Sequence, residues 1–231
     1  MNPIDFSVLL RGDYPRMIAQ GLATMLELTL VAWVLAMSLG TLIALARMTG
    51  NRLAQGGAAV WVEYHQNVPM LVQIFLWYFG IAALLPAGMQ VWINRNSGEF
   101  IFATVAISLA MSAYVSEDIR GGIRSIPKTQ LEAARALGLS YFQSFRRVVL
   151  PQALRIALPT LVNHTVLLFK GTALAMTIGV AELTYATREI ETQTFKTVEI
   201  YLFTTIVYLA LSLVIMAAGS VAERRWAVPG R

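Results

Sequence analysis

At 231 residues the chain is long enough for one or two soluble domains, but 57% hydrophobic residues, only 13% charged ones and a mean hydropathy of +0.61 exclude that class and mark an integral membrane protein. The absence of cysteine excludes a disulfide framework and a thiolate metal site, and two histidines, His65 and His164, are too few for a histidine-rich metal centre, so no metal or other cofactor is expected. The net charge of +5 does not point to nucleic acid, because the basic residues fall between apolar stretches rather than on one soluble face.

Residues 1–21 read as an N-terminal interfacial arm, with Pro3, Gly12 and Pro15 as punctuation and Ile4, Phe6, Val8, Leu9 and Leu10 as apolar contacts. Asp5, Arg11, Asp13 and Arg16 interrupt this stretch, so no cleavable signal peptide is expected and the first span inserts and stays. That span runs from about Leu22 to Ala46, free of charge from Leu28 onward. A turn at Gly56 and Gly57 leads to a second apolar run, roughly Val60 to Leu85, interrupted at Pro69 and closed by Pro86. The segment from Pro86 to Glu99 reads as a loop. A third span covers Phe100 to about Ser116, a fourth Ile156 to Ala181 with Lys170 inside it, and a fifth Ile200 to Ala222. The fold class is therefore all-α and membrane-embedded, with five transmembrane helices and the termini on opposite sides.

Between the third and fourth spans stands a polar, basic island, Leu131 to Pro151. Thr129 and Glu132 have the spacing of a helix N-cap and its reciprocal acid, and Ala133, Ala134, Ala136 and Leu137 favour helix. Gly138 suits the left-handed turn that ends it, Ser140 with Gln143 repeats the start signal, and Pro151 marks the end of the second helix. Small side chains on the first helix let another protein's groove approach closely; an ordinary solvated hairpin is the alternative. With the N-terminus outside, Arg47, Arg52, Arg120, Arg124, Lys128, Arg135, Arg146, Arg147, Arg155, Arg224, Arg225 and Arg231 fall inside, against Arg11, Arg16, Arg95, Arg188 and Lys196 outside. The positive-inside preference thus places the island in the cytoplasm and the C-terminus with it.

The pattern Glu132, Ala133, Ala134, Gly138, Val148, Leu150, Pro151 resembles the EAA loop of permease subunits of ABC importers, with Val148 where that family usually has Ile. The stretches WVEYHQNVPMLVQIFLWYFG, SAYVSEDIRGGIRSIPKTQLEAARALG and PQALRIALPTLVNHTVLLFK resemble the polar amino-acid uptake branch, from about Leu22 to Arg225. Glu63, Pro69 and Gln73 fit the first stretch. Gln66 stands where the branch usually has Arg, and Gly171 where it commonly has Asp or Asn after the lysine. The resemblance implies that residues 22–231 form a transmembrane permease domain of the bacterial inner membrane, with a coupling loop at about 121–155. It further implies cytoplasmic ATPase subunits docking on Glu132, Ala133, Ala134, Gly138, Leu150 and Pro151, a second permease chain, the same or different, and a periplasmic solute-binding protein.

Lys170 lies deep in the fourth span, where a charge costs at least about 2.5 to 3.5 kcal/mol, so it must face protein, water or a solute path. As a path residue it would hold the carboxylate of an amino acid; the alternative is a structural lysine paired with a neighbouring helix. Asn163, seven residues earlier, shares its helical face and is the second path candidate. His164 reads as a helix-packing residue, Glu27 and Glu63 as boundary residues, and Thr172 and Thr177 as hydroxyls bonded back to their own helix. No Gly-x4-Gly-Lys-Ser/Thr loop is present, so ATP hydrolysis belongs to a partner and the chain is not expected to be an enzyme. The expected function is the permease subunit of an importer for amino acids or related polar solutes. A self-contained secondary transporter or channel using Lys170, and a membrane scaffold without a solute path, are the alternatives.

Overall fold

The computed structural model describes residues 4–226, and every regular element among them is helical. Pro3 and Arg231 lie outside the described residues. After a 3-10 turn at Phe6–Leu10 come α1 (Tyr14–Met48), α2 (Arg52–Asn67), α3 (Met70–Leu84), α4 (Ala87–Arg95), α5 (Gly98–Arg124), α6 (Lys128–Ala136), α7 (Tyr141–Ile178), α8 (Leu183–Thr194) and α9 (Thr197–Trp226). Helices α1, α5, α7 and α9 are each long and apolar enough to cross a membrane, and α2 with α3, bent by 108° at their junction, are together apolar enough for a fifth crossing.

The contacts require that fifth crossing. Gly40 of α1 lies against Ser112 and Val115 of α5, and farther along both helices Arg47 pairs with Glu117 at 2.5 Å, so α1 and α5 run in the same direction. The chain between them must return across the bundle, and α2–α3 carries it back. Helix α7 is antiparallel to α5, with Gly122 beside Ala153 and Ala157 and His164 beside Asp118 and Tyr114. Helix α9 reverses again, pairing Phe169 with Tyr208 and Val162 with Gly219. Five crossings result, and the described ends lie at opposite ends of the bundle.

Helix α1 buries Met25, Leu28, Ala32, Ala36, Gly40, Ile43 and Ala44, a stripe at three- and four-residue spacing. It starts at Tyr14 rather than near Leu22, because Pro15 in the first turn needs no N–H partner and favours helix initiation. Asp5 caps the 3-10 turn, Val8 and Leu9 pack with Ile190 and Ile200, and the Asp5 N–H donates to Glu199 Oε1 at 3.2 Å. The hydrogen bonds from Ser7 hold the Asp5 carboxyl below the usual carboxylate range. Helix α5 is the central element. It buries Ala103, Ala106, Ala110, Ala113 and Gly122, small residues that let neighbouring backbones close in without lipid-facing side chains between them.

Two stretches expected to be irregular are helical. Gly56 and Gly57 sit inside α2; the turn precedes them, where Asn51 Oδ1 accepts from Leu53 N at 2.9 Å and starts the helix. Within Pro86–Glu99, α4 forms directly after Pro86, which stands at the cap position, where its missing N–H costs no helical hydrogen bond.

The α2–α3 break needs special support, since irregular backbone at membrane depth survives only when its polar groups are satisfied by protein. Pro69 cannot donate. Gln73, 1% exposed, folds back instead, and its Nε2 donates to the carbonyls of His65 at 3.1 Å and Val68 at 2.8 Å. His65 Nδ1–H in turn donates to Gln73 Oε1 at 2.6 Å, and Trp61 covers the imidazole with ring centroids 4.4 Å apart. Gln73→Leu leaves both carbonyls and the imidazole N–H without partners. The expected cost is about 2 to 4 kcal/mol, read as a lowered melting temperature of the purified protein in detergent, whereas an unchanged melting temperature refutes the clamp.

Candidate functional site

Two regions hold the candidate residues: the island at one end of the bundle and a groove farther along α7. In the island, α6 starts at Lys128 with Pro127 at the cap position, so Thr129 lies inside the helix and makes no capping bond. The proline favours extended backbone before it and fixes the helix start two residues earlier than the Thr129–Glu132 spacing suggests. The far end behaves as expected. Gly138 has φ +84°, the Leu139 N–H reaches the Ala134 carbonyl at 3.2 Å and the Gly138 N–H that of Arg135 at 3.0 Å, a complete Schellman closure. Ser140 Oγ then accepts from Gln143 N while Gln143 Oε1 accepts from Ser140 N, forming the expected capping box.

Pro151 does not end the second helix. Helix α7 passes through it without interruption from Tyr141 to Ile178. A π turn at Phe145–Val149 immediately precedes the proline and widens the helix where Pro151 has no N–H to offer the preceding turn. The second helix of the island and the fourth span are thus one continuous element, to which α6 is joined through the turn at Gly138. Glu132, Ala133 and Gly138 are exposed together at the island's tip, with Ala134 buried beneath them. Leu137 (84% exposed), Tyr141 (64%) and Phe142 (68%) stand beside them, an apolar cluster that the alanine pattern did not reveal. These residues follow helix-forming positions whose inward face Ala134 already fills, which is the sequence signal for them. Leu150 and Pro151 lie farther back, in a groove with Leu154, Arg155, Arg225 and Trp226.

The second region is a groove of about 610 Å³ between α7, α8 and α9, lined by Lys170, Val166, Thr184, Thr204, Tyr208 and Ser212 among others. Lys170 is exposed, and among the described residues no carboxylate lies within 4.0 Å of it. Asn163 is exposed two turns away on the same face but does not line this groove. Behind the groove, Glu182 is fully buried at the start of α8. It accepts from Thr184 N at 2.9 Å, Tyr185 N at 3.0 Å and Tyr208 Oη at 3.0 Å. Burial pushes its carboxyl up, against the pull of the two backbone N–H groups. This glutamate was not visible as a functional or structural residue in the sequence, where it reads as a charge in a loop.

Gly171 has a packing reason: a Cβ there would lie 2.8 Å from Met70 Sδ, so the glycine lets the start of α3 sit against α7. Gln66 is exposed beside the α2–α3 break, Glu63 accepts from Asn67 Nδ2 at 3.2 Å, and Glu27 is exposed on α1. Thr172 and Thr177 bond back to Phe169 and Leu174, as their helical setting predicts. His164 packs between helices and also makes a charge-assisted contact: Nδ1–H donates to Asp118 Oδ2 at 2.5 Å, with the Tyr114 ring 5.1 Å away. The adjacent Glu117 turns the other way, to Arg47 and Arg120.

Among known proteins, residues 36–228 match the family described as binding-protein-dependent transport system inner membrane component. The chain is 35% identical to the nopaline transport system permease protein NocM of Agrobacterium fabrum over 93% of this chain and 89% of that one. It is 30% identical to the glutamate/aspartate import permease protein GltJ of Escherichia coli, covering 91% and 87% of the two chains. Identity to the Escherichia coli histidine/lysine/arginine/ornithine transport system permease protein HisM is 32%, over 89% and 87%. A crystal structure of an amino acid ABC transporter with histidines superposes with a TM-score of 0.84 at 30% identity, over 96% of this chain and 99% of that one. The MetNI methionine ABC transporter in an inward-facing conformation shares the fold, with a TM-score of 0.71 at 16% identity over 94% and 100% of the two chains.

Proposed function

The chain belongs to the family of binding-protein-dependent transport system inner membrane components, as a permease subunit of an ABC importer, and on that premise we propose that it forms part of a path for amino acids, with Lys170 in the path. It is a multi-pass inner-membrane protein and not an enzyme; membership of this family sets aside the self-contained secondary transporter and the scaffold. ATPase subunits, a binding protein and a second permease belong to such an importer. In our reading the ATPase docks on Glu132, Ala133 and Gly138 with Leu137, Tyr141 and Phe142 as apolar anchors, while Leu150 and Pro151 support the docking element from behind. In this reading the docking end is cytoplasmic, as the distribution of basic residues supports, and the arm before α1 is periplasmic, where a binding protein delivers the solute.

The observation that carries the path is Lys170: an exposed cation deep in a spanning helix, without a carboxylate partner among the described residues, lining a groove large enough for an amino acid. An unpaired ammonium in that setting is costly until an anion meets it, and the α-carboxylate of an amino acid is such an anion. Asn163, on the same face toward the docking end, offers an amide along the route. The substrate class is supported by the likeness to NocM, GltJ and HisM, permeases for nopaline, for glutamate and aspartate, and for histidine, lysine, arginine and ornithine.

The test is to copurify the chain with its ATPase and second permease, reconstitute the complex in liposomes with its binding protein, and measure ATP-dependent uptake of labelled glutamate, aspartate, histidine, arginine and nopaline. Uptake of at least one is expected; none with an intact, ATP-hydrolysing complex overturns the amino-acid reading. In the same assay Lys170→Met retains assembly and raises the half-saturating solute concentration about ten- to a hundredfold, the loss of one charge-assisted hydrogen bond. Unaltered kinetics for every solute would remove Lys170 from the path.

A further inference from the structure

Helix α7 runs the length of the bundle. It carries Tyr141 and Phe142 of the docking tip at one end, joined to α6 through the turn at Gly138, and Lys170 near the other, and it crosses α5 between them, where Gly122 meets Ala153 and Ala157 so closely that a Cβ on Gly122 would lie 2.5 Å from the Ala153 carbonyl oxygen. At about 1.5 Å per residue, Tyr141 lies about 18 Å to one side of Ala153 and Lys170 about 20 Å beyond Ala157 on the other. Backbone touching backbone makes this crossing the natural pivot. His164 sits about 10 Å beyond the pivot on the Lys170 side, and there it donates to Asp118 Oδ2 of α5 at 2.5 Å.

We propose that the Asp118–His164 contact is a latch between α5 and α7 that is closed in the conformation seen here and parts when the docking tip moves, so that these two positioning residues set how tightly ATP hydrolysis is tied to transport. The proposal rests on the importer reading above. Three features support it. The α5–α7 crossing is already held by the close approach of Gly122 to Ala153 and Ala157 and by Leu161 packing on the apolar cluster of Val115, Ile119 and Ile123, so the helices do not need the polar pair to stay together. A polar pair across a helix interface gives no more stability than well-packed apolar side chains, but it is sharply sensitive to distance. A tilt of about 15° at the pivot moves His164 by about 3 Å, enough to break the hydrogen bond outright. The Asp118 carboxylate is also unshared, because Arg47 and Arg120 both pair with Glu117. On the other face of α7, Trp33 Nε1 donates to Thr165 Oγ1 at 3.0 Å, a neutral contact to α1 with no charge to compete for His164.

The experiment uses the complete reconstituted complex and the same five labelled solutes. Asp118→Ala is expected to raise solute-independent ATP hydrolysis about three- to tenfold and to lower uptake per ATP correspondingly, whereas Asp118→Asn, which keeps an acceptor oxygen in place, restores coupling. A second variant, in the same complex, tests the parting of the two helices directly. The chain contains no cysteine, so Asp118→Cys/His164→Cys introduces the only thiol pair, and bridging it with a short reducible bifunctional reagent is expected to stop uptake until reductant is added. Uptake per ATP unchanged in Asp118→Ala, or normal uptake by the bridged complex, overturns the latch. A wild-type complex that moves none of the five solutes overturns the amino-acid reading instead, and is distinguishable because the unmodified chain itself fails.

Discussion

Replacing Glu132 with lysine abolishes ATP-driven uptake while leaving the chain inserted and folded. Glu132 is exposed at the tip of α6, and Lys128, Arg135, Arg146 and Arg147 surround it on the same island, all exposed. It is the one acidic side chain in that basic field, so a partner groove that fits the island must offer it a donor or a cation. Reversal adds two units of positive charge without touching the folded helix, whose ends are held by the Schellman closure at Gly138 and the capping box at Ser140. Like charges brought together at a docked interface cost several kcal/mol, so binding of the ATPase falls about a hundredfold or more. The check is a tagged pull-down with uptake measured in parallel. Full copurification with full uptake would remove Glu132 from the docking surface, and a chain that fails to insert would contradict its purely external placement.

Gly122→Val collapses the assembled bundle, and Gly121→Val, one position away, does not. A Cβ at Gly122 meets the Ala153 carbonyl oxygen at 2.5 Å and the Ala157 Cβ at 3.1 Å, and neither is the flexible end of a side chain. Helices α5 and α7 must therefore move apart along their whole contact, opening the packing of Val115, Ile119 and Leu161. Overpacking of this kind costs about 3 kcal/mol or more. A Cβ at Gly121 meets nothing within 4 Å, so its replacement stays within a few tenths of a kcal/mol to about 1 kcal/mol of the parent. Size-exclusion profiles and melting temperatures in detergent separate the pair, and equal behaviour of the two variants would refute the close crossing.

How much of this was legible in the sequence depends on the range of the interaction. Apolar runs revealed the spans, and local chemistry revealed the turn at Gly138 and the cap at Ser140, because those bonds reach only three to five residues. The same local reasoning failed at Thr129, where Pro127 starts the helix two residues early. It failed again at Pro151, where the π turn before it absorbs the missing donor. Gly56 and Gly57 looked like a turn because glycine permits one, yet Asn51 had already begun the helix. Of the site, Lys170 was visible as a charge out of place, and Gly171 as a departure whose packing reason, Met70, lies about a hundred residues away. Asp118 and His164 are separated by 46 positions, and neither residue alone signals a partner. Glu182 and Tyr208 were hidden for the same reason: their meeting is a product of how α8 and α9 pack.

The broken second crossing also bears on how the protein is made. Helices α2 and α3 contain a proline break, a glutamine and a histidine that are covered only because α1 lies on one side and α5 on the other. A newly synthesised chain ending after Leu84 would present that polar joint to lipid, which does not tolerate it. The first three crossings are therefore expected to leave the translocation channel together, once α5 has emerged, rather than one helix at a time.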